Sequence, residues 1–124
     1  MRLHISISLC VLMTVFASVA PAHAVEQHGI RIYEGARLDE QETKFGREIA
    51  GADMYCYRTR DSVAKVTAFY KSQSGLTFMG GDESHSLFIK EEGNHMVRVA
   101  IASPWTAAGT GRMNADTLIQ IIKE

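Results

Sequence analysis

The chain has 124 residues, 22% of them charged, and a formal net charge of −1, which suits one domain with a modest core. Acidic and basic residues are interspersed without a basic run, arguing against nucleic acid or an anionic membrane as the main partner. The two cysteines, Cys10 and Cys56, lie in no Cys-x-x-Cys-His arrangement, which excludes a haem attachment.

Residues 1–24 read as an export signal. Arg2 supplies the positive start, Ile5 to Val19 is an apolar run, and Ala22-His23-Ala24 matches the signal peptidase rule. The run is shorter than the ~20 residues a membrane-spanning helix needs. The expected mature domain is 25–124, in which Cys56 has no disulfide partner. Gly29 to Tyr33 alternates as a short strand and Glu34-Gly35-Ala36 reads as a turn. From Arg37 to Glu48 only Leu38 and Phe45 are apolar among charged residues, so a loop with at most a short edge strand is expected. Ala52 to Thr59 is a tyrosine-rich strand.

The stretch that follows predicts the only helix. Val63, Val66, Phe69 and Tyr70 share one face at helical spacing, and Gln73 extends the stripe. Thr59 is placed to accept from first-turn amides, Asp61 to favour the positive end of the dipole, and Ser74-Gly75 to end the helix. Strands are then expected at Leu76–Met79, Ser84–Lys90, His95–Ala102 and Thr117–Ile122, with a small-residue loop from Pro104 to Asn114. A three-residue turn, Glu92-Gly93-Asn94, would set Ile89 opposite Val97 and Leu87 opposite Val99, with Phe88 against Arg98. Strands with one helix imply an α+β fold: a four- or five-stranded antiparallel sheet with one amphipathic helix packed on one face.

Tyr33-Glu34-Gly35-Ala36, followed by Tyr57-x-Thr59-x-Asp61-Ser62-Val63-x-Lys65-Val66-x-x-Phe69-Tyr70, resembles a pattern in small exported bacterial envelope proteins. Those open their mature domain with a Tyr-Pro-Gly-Ala-like motif and carry a T-x-D-S-x-x-K-V-x-x-F-Y helix. Glu34 stands here in place of the proline, and Leu76 where a Gly-Trp often follows the helix. The resemblance implies an envelope compartment and assigns no activity or site residue.

No chemical constellation stands out. Cys56 shares a strand face with Met54, which favours a buried, inert thiol over a reactive one. His28, His85 and His95 show no metal-ligand spacing; in the expected register His85 and His95 share a face about 20 Å apart. Asp61, Ser62 and a histidine form a triad only on paper, because Ser62 sits in a helix cap and no G-x-S-x-G elbow exposes it. Ala107 to Arg112 is glycine-rich but lacks the Gly-Lys-Ser/Thr ending of a phosphate loop. No cofactor or metal is expected. Tyr55 and Tyr57 point away from Met54 and Cys56, so they are expected on an open sheet face; with Trp105 they are the candidate binding residues. The reading is a periplasmic or secreted, non-enzymatic accessory module that binds another envelope protein through that face. The alternatives are a small hydrolase or metal-dependent enzyme, and a carrier holding an apolar ligand between helix and sheet.

Overall fold

Among the described residues two helices flank a six-stranded antiparallel sheet, where one helix and four or five strands are expected from sequence. The computed structural model describes residues 25–124, and the export signal lies outside the described residues. In chain order the elements are β1 (Glu26–Gln27), β2 (Ile30–Arg31), β3 (Arg37–Leu38), α1 (Glu40–Ala50), β4 (Asp53–Thr59), α2 (Val63–Lys71), β5 (Thr77–Gly81), β6 (His85–Glu92), β7 (His95–Ala102), β8 (Trp105–Thr106), β9 (Met113–Asn114) and β10 (Thr117–Lys123). The sheet runs β3-β4-β10-β7-β6-β5, and β1-β2 and β8-β9 form two small ribbons beside it. Among the described residues no helix is long and apolar enough to cross a membrane.

The first correction concerns Arg37 to Glu48, where the short edge strand is present as β3 but α1 stands in place of the loop. Asp39 caps α1, its carboxylate accepting from the Glu42 amide at 2.9 Å, and Glu40 and Glu42 place negative charge in the first turn. Gly51 ends the helix in the left-handed conformation at φ 63. The helix escapes a periodicity search because the side it buries carries Glu42, Thr43 and Gly46, none of them large and apolar. Thr43, with Asp39 and Arg47, serves β4 instead. The Asp39 amide donates to the Cys56 carbonyl at 2.8 Å, Thr43 Oγ1 accepts from the Cys56 amide at 3.0 Å, and Arg47 Nε donates to the Met54 carbonyl at 2.8 Å. Positions 39, 43 and 47 lie one above another on a helix, so α1 continues the pairing that the two-residue β3 begins. Gly46 permits the approach: a Cβ there would stand 2.5 Å from Met54 Cε.

The predicted helix is present as α2, capped by Ser62, whose Oγ accepts from the Lys65 amide at 3.2 Å. Thr59, the expected cap, accepts instead from the Asp61 amide one turn earlier. Val63, Val66 and Tyr70 are buried against Phe88, Val97, Val99, Ile101, Ile119 and Ile121. Burying each such side chain contributes roughly 1.5–3 kcal/mol. Phe69 is only partly buried, its ring edge-on to Tyr33 and Tyr70. Residues 25–36 cover the rest of this face and bring in Ile30, Ile32 and Tyr33. Gln73 fastens them: its amide side chain accepts from the Arg31 N–H and donates to the Arg31 carbonyl. The space an apolar ligand would need between helix and sheet is thus filled with side chains.

A smaller core lies on the opposite face, where Met54, Cys56, Trp105, Leu118 and Ile122 pack together. The sheet therefore has two covered faces over β4 and β10. This corrects the placement of the tyrosines: Tyr57 is buried in the α2-side core and Tyr55 packs half-buried against it.

The β6–β7 register also differs by one residue. Glu92 pairs with His95, Phe88 with Val99 and Ile89 with Arg98, closing on a two-residue turn whose first residue, Gly93, has φ 56, where a type II′ turn takes glycine. Because Leu87, Phe88 and Ile89 are all apolar, alternation could not choose a face, and the tighter turn puts Phe88 inward. Phe88→Ala is expected to cost about 3–5 kcal/mol and Leu87→Ala less than half of that. Urea melts ranking the two the other way would restore the register with Leu87 inside.

Candidate functional site

Arg58 is the polar centre of the smaller core. Its Nε donates to Asp116 Oδ2 at 2.7 Å, and its terminal nitrogens donate to Asp39 Oδ2 and Asn114 Oδ1, each at 3.3 Å. The guanidinium lies 5.0 Å from the centre of the Trp105 ring, and Trp105 Nε1 donates to the other Asp116 oxygen at 3.0 Å. These bonds hold the Arg58 charge above its ordinary pKa, chiefly through Asp116. Trp105 is therefore an anchor, 6% exposed, and presents little surface to a partner.

Beside Arg58 opens a cleft of about 870 Å³ lined by Glu34, Arg37, Asp39, Glu40, Arg60 and Asp61, among others. Its charge is mixed. Tyr33 Oη donates to Asp61 Oδ2 at 2.5 Å, and this bond, then burial, pushes the Tyr33 phenol up to about 12. Asp61 also pairs with Lys65 at 3.7 Å, and its carbonyl accepts from Thr117 Oγ1. No histidine lines this cleft, so Asp61 and Ser62 are not joined there by a base.

A histidine, a serine and an aspartate do meet in the β5–β6 turn. Asp82 Oδ1 accepts from the Ser84 amide and hydroxyl, both at 2.8 Å, and from the His85 amide at 3.2 Å, while His85 Nδ1 lies 3.0 Å away. All converge on one carboxylate oxygen, whose pKa is lowered first by the Ser84 hydroxyl. A relay needs the serine on one imidazole nitrogen and the acid on the other; here both face Nδ1, as in a turn closed by its aspartate. His95 stands at the far end of the hairpin, on the face opposite to His85, which corrects the expected shared face. His28 sits in the β1–β2 turn with φ 53, its Nε2 3.4 Å from Asp53. Among the described residues no three histidine, cysteine or carboxylate groups are placed to hold a metal.

The glycine-rich loop spends its amides internally. The Ala108 N–H donates to both oxygens of the buried Glu42 carboxylate at 3.1 Å. The Ala107 and Gly111 amides bond within the loop, and a Cβ on Gly109 would meet the Phe45 ring at 2.5 Å. The loop is a clasp on α1, held by the Ala108 amide on Glu42 and by Gly109 against Phe45.

The uncovered surface lies elsewhere than the tyrosines. On the face opposite α2, Leu87, Ile89, Met96, Arg98, Ala100 and Gln120 are partly exposed and join neither core. They occupy β6, β7 and β10, beyond the reach of α1 and the β8–β9 ribbon. The one-residue register difference is what hid this patch, because the expected pairing turned Leu87 and Ile89 inward. No protein-family model, curated protein or solved structure matches the chain.

Arg58→Met strands Asp39 and Asp116 together without their cation. With the guanidinium more than a third exposed, screening limits the expected loss to about 1–3 kcal/mol, against less than about 0.5 for Arg37→Met. Equal melting midpoints for the two variants would remove Arg58 from its central role.

Burial, and then the nearby Glu42 charge, push the Cys56 thiol up to about 11. Cys56 is wholly inaccessible, so a thiol reagent at neutral pH is expected to react slowly with the native protein and quickly in urea. Rapid native labelling would place the thiol at the surface.

Proposed function

We propose that this chain is an exported accessory module of the bacterial envelope, which binds another envelope protein through the uncovered half of its sheet. One observation carries the reading: Leu87, Ile89, Met96 and Ala100 lie together, partly exposed, on a face that no helix among the described residues covers. Arg98, ion-paired with Glu124, and Gln120 supply a polar border, the usual arrangement of a protein-binding patch. Carried on three hydrogen-bonded strands, such a patch loses little conformational freedom on binding. The signal-like N-terminus and the resemblance of Tyr33–Tyr70 to small envelope proteins support the compartment.

The test is a photo-crosslinking residue placed at Ala100 and, separately, at Glu48 on the outer side of α1, in cells making the full chain. Ala100 is expected to crosslink one envelope protein and Glu48 none. Leu87→Glu should abolish that crosslink and weaken binding of the purified partner at least about tenfold, roughly 1.4 kcal/mol. Equal crosslinking from both positions, none from Ala100, or indifference to Leu87→Glu would overturn the proposal.

A further inference from the structure

The two edges of the sheet are finished differently. On the β4 side, Asp39, Thr43 and Arg47 occupy the Cys56 carbonyl, the Cys56 amide and the Met54 carbonyl. On the other side, among the described residues, β5 pairs with β6 alone. Its sequence, Thr77-Phe78-Met79-Gly80-Gly81, contains no charge and no proline, the residues with which proteins usually blunt an edge. Phe78 and Met79 are 41% and 56% exposed. The strand is nevertheless held firmly against β6, since any Cβ on Gly81 would run into the His85 carbonyl and the Ser86 Cα. The register shifts between Phe78 and Gly80, which leaves Met79 without a partner on β6 and its side chain more than half exposed.

We infer that β5 pairs antiparallel with the β5 of a second copy of this chain, about a two-fold axis passing near Met79. The charges along this edge are arranged for that partner. Lys71 lies over the Phe78 ring at 4.3 Å, toward the start of the strand, and Glu83 follows its end. Neither has an ion-pair partner among the described residues. A two-fold axis brings the acidic end of each strand to the basic end of the other, so both cations meet an anion. The same axis sets Phe78 of each copy across from Gly80 of its partner, where an aromatic ring covers the bare glycine backbone. One five-residue strand per copy falls short of the ~800 Å² per partner of stable complexes, so the dimer is transient and its population rises with concentration. This inference concerns the edge, and it stands whether or not the neighbouring face binds another protein.

Sedimentation equilibrium of the native protein purified from cells is the test. The average mass is expected to rise from monomer toward dimer as concentration increases. Lys71→Glu should raise the dissociation constant at least about tenfold, and adding Glu83→Lys to it should restore the original value. Both side chains are exposed, and circular dichroism of each variant checks that the fold is intact. A monomer at every concentration, a dimer indifferent to Lys71→Glu, or a double variant no tighter than the single would overturn the edge pairing. So would a dimer lost in Leu87→Glu and kept in Lys71→Glu, which would place the contact on the open face.

Discussion

The Arg58 guanidinium gathers four parts of the chain at one corner of the smaller core. Asp39 begins α1, Asn114 ends the β8–β9 ribbon, Asp116 leads into β10, and Trp105 closes the smaller core. Each carboxylate does a second job: Asp39 also caps α1 and Asp116 also holds the Trp105 indole. The network therefore fixes orientation as much as it contributes energy. With two anions around one cation, every polar atom needs its partner in place, and the geometry of the whole corner follows. Hydrophobic burial alone would allow the ribbon to slide over Leu118 and Ile122; the directed hydrogen bonds do not.

Much of the fold was legible because most of its strands and α2 carry apolar residues at the spacing their geometry demands. His95–Ala102 was placed to the residue, since Val97, Val99 and Ile101 alternate cleanly with Met96, Arg98 and Ala100. The helix α1 was missed for the opposite reason. Its contacts with β4 are hydrogen bonds and a glycine approach, which leave no apolar stripe to detect. Asp39, with two glutamates in the next three residues, was the available signal, a capping pattern with acidic charge in the first turn. The register of β6 was undecidable from three apolar residues in a row. It fell to a turn of either two or three residues, and the face of the sheet open to solvent changed with it.

The candidate surface changes for the same reason. A sheet with a single helix has one bare face, and alternation along β4 assigns that face to Tyr55 and Tyr57. The second helix covers Met54 and Cys56, while α2 and residues 25–36 cover Tyr57. Tyr57 and Tyr70 accordingly sit where burial disfavours the ionised phenolate, and the Tyr70 hydroxyl accepts from the Tyr33 amide. What the tyrosines supply is internal wiring, from the N-terminal segment through Tyr33 to Asp61 and α2.

The strand order has a bearing on how the chain becomes a folded protein. β10, the latest strand in sequence, lies in the middle of the sheet, with Thr117 opposite Thr59 on one side and Leu118 opposite Ala102 on the other. Until it arrives, β3–β4 and β5–β6–β7 are two separate fragments, each with a long unpaired edge and an unfilled core. The contact joining them spans nearly half the chain, a closure that is slow to form. A ribosome still holding residues 117–123 thus holds the sheet open until β10 is released.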